Sequence, residues 1–374
     1  MNNDKGINIL IVGMSTYYGG TEAFIMTLFR NIDKNKYHFL FLNAYDEPIV
    51  CSDEIIFLGG EILHLRLRRR QDGLKKYKEG IKDFFLKNND KIDIVLQNIQ
   101  DLINIDIVKY AHIYNKKTIL WGHACDYGVK PRFLTRMSAF YNKLTYRKYA
   151  DLLVANSSKS GDWLYGNNYI VVENFIDTSR FKYNKEDRKI IREKYHIDDN
   201  EVVFGTLGRL SIEKNQLFLI DVFSKIHSCN NKTKLMFVGS GDMLEQLQNR
   251  VKEYKLEDSV LFVGKTNESE KYYSAFDVFV FPSRFEGFGI SLLEAECSSL
   301  PCVVSDVIPN EAIKSNMVTK LPINDIDVWV SSLLSIKLNN KREDNSIVDT
   351  IEKNNGYLPQ TIKICKIFDK LYGK

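Results

Sequence analysis

The segment "RFEGFGISLLEAE" places two glutamates, Glu286 and Glu294, on either side of a change from a glycine-rich turn to a good helix former. With a helix start near Phe288, Glu286 lies in the turn before it and Glu294 on its second turn. The two are then up to about 12 Å apart along the chain at 1.5 Å per residue. The amides near Phe288, Gly289, Ile290 and Ser291 would open the helix without internal acceptors and would favour an anion between the two carboxylates. Upstream, "LGRLSIEKN" sets Arg209 and Lys214 five residues apart where a strand gives way to a helix. Arg supplies bidentate contacts and Lys a compact charge, which suits a diphosphate. Each charge-assisted bond contributes about 1.5–3 kcal/mol. A ligand with a hexose at one end, two phosphates in the middle and a ribose at the other satisfies both sets. Glu286 would accept from the sugar and Glu294 from the ribose.

Two further turns could approach such a ligand. Gly19 and Gly20 in "YYGGTEAFIMTLF" permit close backbone approach at a helix N-terminus, although a glycine pair by itself is more often just a turn. Gly239 and Gly241 in "FVGSGD" offer a second such turn. Neither is a G-x-G-x-x-G fingerprint, and no acidic residue ends a second strand to grip an adenosine ribose, which disfavours an NAD-dependent dehydrogenase.

The elements that must position these groups are legible as alternating runs. Short β-rich stretches at 7–13, 37–44, 93–98, 117–123, 151–157 and 169–177 are separated by helical patterns such as 21–32 and 73–88. A second series follows at 202–210, 234–241, 259–264, 278–283 and 300–306. Alternation of this kind gives an α/β fold with parallel sheets and right-handed crossovers. The expectation is two doubly wound, Rossmann-like domains facing across a cleft, residues 1–170 and 171–356. The amphipathic 357–374 segment is expected to pack back on the first. Ligands in such sheets bind at the carboxyl ends of the strands.

At 374 residues the chain suits two cores. Its 44% hydrophobic and 27% charged content is that of a globular protein, with no apolar run long enough to span a bilayer. Six cysteines without a C-x-x-C pair argue for reduced thiols and against structural zinc. The N-terminus lacks the features of a signal peptide, which points to the cytoplasm. Net charge is +4, but residues 60–150 hold 19 Lys/Arg against 9 Asp/Glu. This region includes "RLRRR" at 66–70 and the run "KPRFLTRMSAFYNKLTYRKY". Read as a helix, the latter sets an apolar stripe (Phe133, Leu134, Met137, Phe140, Tyr141, Leu144, Tyr146) among Arg132, Arg136, Lys143 and Arg147. Such a surface suits an anionic partner: a membrane, a lipid phosphate or nucleic acid. Packing of the stripe on the core is the competing expectation. The "DID" at 325–327 resembles a metal-binding D-x-D pair but precedes "VWVSSLL" and is expected to start a helix.

In this order the motifs resemble the family 4 glycosyltransferases, retaining enzymes with the two-domain B-type fold. The resemblance spans nearly the whole chain, from "YYGGTEAFIMTLFRNID" through "VVENFID", "GRLSIEKN" and "FVGSGD" to "FVFPSRFEGFGISLLEAE". The segment "GGTEAFIMTLFRNIDKNKYHF" is closest to the branch that builds bacterial exopolysaccharide and capsule. The resemblance implies that Arg209 and Lys214 stabilise the leaving diphosphate, Glu286 holds the donor sugar and Glu294 the ribose. It also implies that Gly19 and Gly20 approach the diphosphate from the first domain and that the base rests near Lys265 and Thr266. His123 in "WGHACDYG" matches the family's active-site histidine, in surroundings that depart from the commoner forms.

The expected function is hexosyl transfer from a UDP-sugar to a glycan acceptor carried on a polyprenyl diphosphate. It would proceed with retention, without metal or other cofactor, in the cytoplasm at the inner face of the plasma membrane, and without a nucleic-acid partner. A sugar-nucleotide epimerase of similar fold would need acid/base residues around the anomeric carbon. A non-catalytic glycan-binding partner would not need all four of Arg209, Lys214, Glu286 and Glu294.

Overall fold

The computed structural model describes residues 6–65, 71–125, 127, 133–338, 342 and 346–373. The chain forms two units, residues 1–175 with 357–374, and residues 176–356.

The first unit is built on seven parallel strands: β1 (Ile7–Val12), β2 (Tyr37–Asn43), β3 (Glu61–His64), β4 (Ile94–Ile99), β5 (Lys117–Gly122), β6 (Leu152–Ala155) and β7 (Ile170–Val171). Their order is β3-β2-β1-β4-β5-β6-β7. The central strands read as almost continuous apolar runs because helices cover both faces of the sheet. Leu10, Leu40, Val95, Ile81 and Phe85 lie in one such layer. The sequence suggests a long strand over 169–177, but only Ile170–Val171 pairs. Asp177 then ends the extended chain by capping the helix Thr178–Phe181, its carboxylate accepting from Ser179 N at 3.1 Å.

The helix Tyr357–Tyr372 belongs to this first unit. Phe368 is fully buried, 5.8 Å from the Tyr37 ring, a burial that contributes about 1.5–3 kcal/mol. Asp369 accepts from Tyr37 Oη at 2.8 Å and pairs with Lys36 at 2.7 Å.

The second unit holds β8 (Val202–Leu207), β9 (Thr233–Val238), β10 (Val260–Gly264), β11 (Val278–Phe281), β12 (Cys302–Ser305) and β13 (Val318–Leu321). They are parallel in the order β10-β9-β8-β11-β12-β13. Its core packs Leu219 and Phe223 of the helix Gln216–Cys229 and Trp329 of the helix Ile326–Ser335 on Leu235, Phe237 and Val280. The first and last turns of this unit meet, with Ile176 N donating to Asn355 O at 3.1 Å.

Both sheets reverse strand order once, between β1 and β4 and between β8 and β11. At such a switch point adjacent carboxyl-end loops diverge and leave a crevice.

Candidate functional site

The switch point of the second unit brings together the loops that carry most of the expected chemistry. Gly208 to Lys214 follow β8, and Pro282 to Gly289 follow β11. Lys214 Nζ donates to Glu286 Oε1 and lies 4.8 Å from the centre of the Phe281 ring. The same carboxylate oxygen accepts from Ser283 Oγ at 2.9 Å. Both members of the ion pair are largely sheltered, with side chains 23% and 10% exposed. On the sequence alone they fall to different parts of a ligand. They meet because two opposite charges in a poorly hydrated crevice are each other's cheapest partner. Ser283 escaped the sequence reading, since a serine ending a strand carries no signal of its own.

Arg209 stands apart, its side chain 57% exposed and paired with the still more exposed Asp242 at 3.0 Å. An open pair of this kind contributes little to stability and leaves the guanidinium easily redirected.

The helix after this loop is Ile290–Cys297, so it starts two residues later than the sequence suggested. Gly289 adopts φ 96°, a left-handed conformation that costs glycine little, and Phe288 turns into the core at 2% exposure. Ile290 and Ser291 therefore open the helix with amides that have no intrahelical acceptor. Glu294 is 8% exposed, and its Oε2 accepts from Tyr273 Oη at 2.7 Å. Burial pushes its pKa up to about 7. The neighbouring Glu296 is fully buried and binds the amides of Lys314 and Ser315 at 2.9 and 2.7 Å, a structural tie between this helix and the loop before β13.

Gly239 and Gly241 have a sufficient structural reason to be glycine. A Cβ at Gly239 would lie 2.0 Å from Gly208 O, and one at Gly241 2.1 Å from Leu210 O. They let the loops after β8 and β9 pack backbone against backbone. On the sequence alone they fit equally the approach of a ligand. Lys265 and Thr266 follow β10; Lys265 is exposed, and Thr266 Oγ1 accepts from Glu268 N at 3.0 Å. Asp325, first of the "DID" pair, caps its helix by accepting from the amides of Asp327 and Val328. Among the described residues, no three His, Cys, Asp or Glu side chains are grouped to hold a metal ion.

In the first unit Gly19 precedes the helix Gly20–Asn31. Its amide is already engaged by Glu22 Oε2 at 3.1 Å, while Glu22 Oε1 takes the Ser15 amide at 3.1 Å. Glu22, missed from the sequence, thus stiffens the turn; burial raises its pKa. An anion at this turn would meet the amides of Gly20 and Thr21, which open the helix, rather than that of Gly19.

His123 follows β5 and is 7% exposed, 5.5 Å from Phe24 and 6.4 Å from Trp121 by ring centres. Its Nε2 lies 2.8 Å from Asn98 Oδ1. Because Asn98 Nδ2 donates to Val12 O, the amide oxygen faces the ring and Nε2 is assigned the proton. Burial drives the pKa down to about 3. The ring is neutral near neutrality, so it can accept at Nδ1 but cannot serve as a cationic acid.

Comparisons with known proteins show what this geometry is similar to. Residues 187–347 match the family profile described as glycosyl transferases group 1. A putative glycosyltransferase of Bacillus subtilis, EpsF, is 24% identical over 341 residues, covering 89% of this chain and 88% of the relative. An Escherichia coli UDP-Gal:alpha-D-GlcNAc-diphosphoundecaprenol alpha-1,3-galactosyltransferase is 30% identical over 192 residues, 49% of this chain and 47% of that protein. The crystal structure of Anabaena HepE with UDP-glucose superposes with a TM-score of 0.79 at 15% identity, covering 97% of this chain and all of that one. The second unit thus carries the group 1 glycosyl transferase profile, and the chain over most of its length is similar to a putative glycosyltransferase.

The basic, apolar segment forms the helix Phe133–Thr145. The expectation that its stripe packs on the core fails for four residues: Met137, Phe140, Tyr141 and Leu144 are 55%, 67%, 59% and 70% exposed. The buried face is formed instead by Ala139 and by Asn142, whose Nδ2 donates to Leu102 O, and Tyr146 is buried just beyond the helix. Arg136 and Lys143 are exposed beside the stripe, Lys143 Nζ donating to Trp163 O at 3.2 Å, and the Arg147 guanidinium is tied to the carbonyls of Tyr165 and Asn167. "RLRRR" at 66–70, Lys130, Arg132 and the side chains of Phe133 and Leu134 lie outside the described residues. No helix among the described residues is long and apolar enough to cross a membrane.

Proposed function

We propose that this chain is a glycosyltransferase that moves a hexosyl unit from a UDP-sugar, with retention, to a glycan carried on a polyprenyl diphosphate, in exopolysaccharide or capsule synthesis. The observation that carries the proposal is the Lys214–Glu286 pair across the two loops that diverge at the switch point of the second unit, with Arg209 on the same loop as Lys214. In the step, the bond from the anomeric carbon to the diphosphate oxygen breaks and its electron pair leaves on that oxygen. The acceptor oxygen bonds to the same face of the carbon, and its proton passes to the departing diphosphate. Arg209, Lys214 and the amides opening the helix at Ile290 meet the charge that grows on the leaving group. Glu286 holds sugar hydroxyls and exchanges part of its hold on Lys214 for them. Glu294 binds the ribose, and Lys265 and Thr266 flank the base. The E. coli relative is named for UDP-Gal and a diphosphoundecaprenol acceptor, and HepE was crystallised with UDP-glucose, which supports both halves of the reading.

Side-chain cations and backbone amides take the place of a metal here, so activity is expected to survive EDTA. The first unit carries the acceptor and docks on the cytoplasmic face of an anionic membrane through the exposed stripe of the Phe133–Thr145 helix. The decisive measurement is nucleotide release from a panel of UDP- and GDP-sugars, with and without a lipid-linked acceptor, followed by NMR of the anomeric configuration in the product. Acceptor-dependent release of UDP and an unchanged configuration are expected. Inversion, or release from GDP-sugars alone, contradicts the proposal.

A further inference from the structure

Tyr273 has no place in the chemistry described so far, yet it is held with unusual completeness. It is fully buried on the helix Ser269–Ala275, its ring 5.9 Å from Phe181, 6.0 Å from Phe276 and 5.7 Å from Phe279 by centroids. Three aromatic neighbours leave the ring little freedom, and its hydroxyl donates to Glu294 Oε2. The backbone is fixed as firmly. Arg342 Nη2 donates to Tyr273 O at 2.9 Å and to Ser298 O at 2.7 Å, and Nη1 to Ser274 O and Phe276 O at 3.0 and 2.7 Å. One guanidinium therefore caps the last carbonyls of the Tyr273 helix and the C-cap of the Glu294 helix together. The spacing between the two helices is set by a rigid planar fork.

We infer that Tyr273 is a positioning residue for nucleotide binding: it occupies one oxygen of Glu294 and so presents the other, already oriented, to the ribose hydroxyls. The inference rests on the reading of Glu294 as the ribose acceptor. A buried carboxylate on a rotatable side chain pays for its orientation at each binding event unless something fixes it beforehand. A phenol locked among three aromatic rings does so. A core tyrosine without this role would contribute ring packing alone, which phenylalanine supplies equally.

The groups facing Glu294 are few. The Tyr273 hydroxyl favours the ionised carboxylate, as does Arg180, while Glu270 on the Tyr273 helix opposes it; Arg180 and Glu270 pair with each other at 2.7 Å. The thiol of Cys297 lies close enough to feel the same carboxylate. Removing the phenol therefore moves the ionisation of Glu294 to higher pH, and with it any pH dependence of nucleotide affinity.

Tyr273→Phe tests the assignment by titration calorimetry with UDP across pH 5.5–9 and by steady-state kinetics. We expect Kd for UDP to rise about tenfold, as for loss of a bond to a charged group. KM for the donor should rise with it while kcat at saturation stays within about twofold, because the effect is on binding common to ground and transition states. The acid limb of affinity should move to higher pH. Glu294→Gln should weaken UDP and abolish the limb, and adding Tyr273→Phe to it should change nothing further. Parental UDP affinity with an unmoved limb in folded Tyr273→Phe overturns the positioning role. Parental affinity in Glu294→Gln instead overturns the ribose reading beneath it. If the single variant does not fold, the double variant decides: a further loss of affinity relative to Glu294→Gln shows that Tyr273 acts otherwise than through Glu294.

Discussion

The two units share a plan and differ in what they place at the same point of it. Each is a parallel sheet that reverses strand order once. At the reversal in the second unit stand an ion pair, an exposed arginine and a buried carboxylate. At the reversal in the first stand a glycine turn braced by Glu22 and, one strand further on, a neutral imidazole between aromatic rings. Topology thus fixes where a ligand can be met, and the loop residues decide what it meets. On the proposed reaction, charge stands where a leaving group forms, and the other unit is left to shape and hold.

The sharpest way to break this contrast is to remove the cations. Lys214→Ala should lower kcat by roughly 10²–10³, the usual cost of one group aimed at developing charge. Arg209→Ala should cost less, about 10-fold to 100-fold, because its exposed position leaves water to replace part of it. Near-normal turnover in folded Lys214→Ala would remove it from the leaving-group site.

The carboxylates should separate by which end of the donor they touch. Glu294→Ala is expected to weaken free UDP by about 1.5–3 kcal/mol, whereas Glu286→Ala should leave UDP affinity near normal and impair use of the sugar donor. Equal losses in calorimetry would mean that the division along the ligand is wrong.

For the first unit the expected effect is on stability. His123 has its pKa pulled down to about 3 in the fold, below the ordinary value of 6.5. The unfolded chain therefore binds the extra proton first, so stability present above pH 6.5 is lost as pH falls from there towards 3. The slope approaches 1.4 kcal/mol per pH unit for one proton. His123→Gln should flatten this part of the curve in urea titrations, and an unchanged slope would mean that the ring is hydrated.

The smallest effect is predicted at the surface. Phe140→Ser and Leu144→Ser together with Arg136→Ser and Lys143→Ser should abolish co-sedimentation with anionic vesicles, each cation contributing about 1 kcal/mol, and leave turnover of a soluble acceptor intact. Arg147 is a poor probe because its guanidinium also braces the Tyr165–Asn167 turn. Undiminished binding by the quadruple variant rules out this face.

What the sequence disclosed and withheld follows from the range of the interactions involved. Strand and helix periodicities are local, so both sheets were visible except for the short edge strands β3 and β13, as was the helix cap at Asp325. Glu286 and Glu294 announced themselves through spacing. The pairing of Lys214 with Glu286 spans 72 residues, and the bond from Tyr273 to Glu294 spans 21; neither leaves a pattern in a single chain. Gly239 and Gly241 are ambiguous for the complementary reason. The sequence shows that a side chain is excluded, but not whether a ligand or a neighbouring carbonyl excludes it. The exposed stripe on the Phe133–Thr145 helix was ambiguous because periodicity marks an apolar face without saying what covers it.

The helix Tyr357–Tyr372 has a consequence for synthesis on the ribosome. Its Phe368 and Asp369 complete the packing around Tyr37, more than three hundred residues earlier. The seven-stranded sheet therefore emerges from the tunnel early, yet waits for its covering helix until all of residues 176–356 has been translated. The unit begun first is finished last. During that interval the Tyr37 side of the sheet is a natural client surface for chaperones, and a chain ending at residue 356 would hold a complete second unit and an unsealed first one.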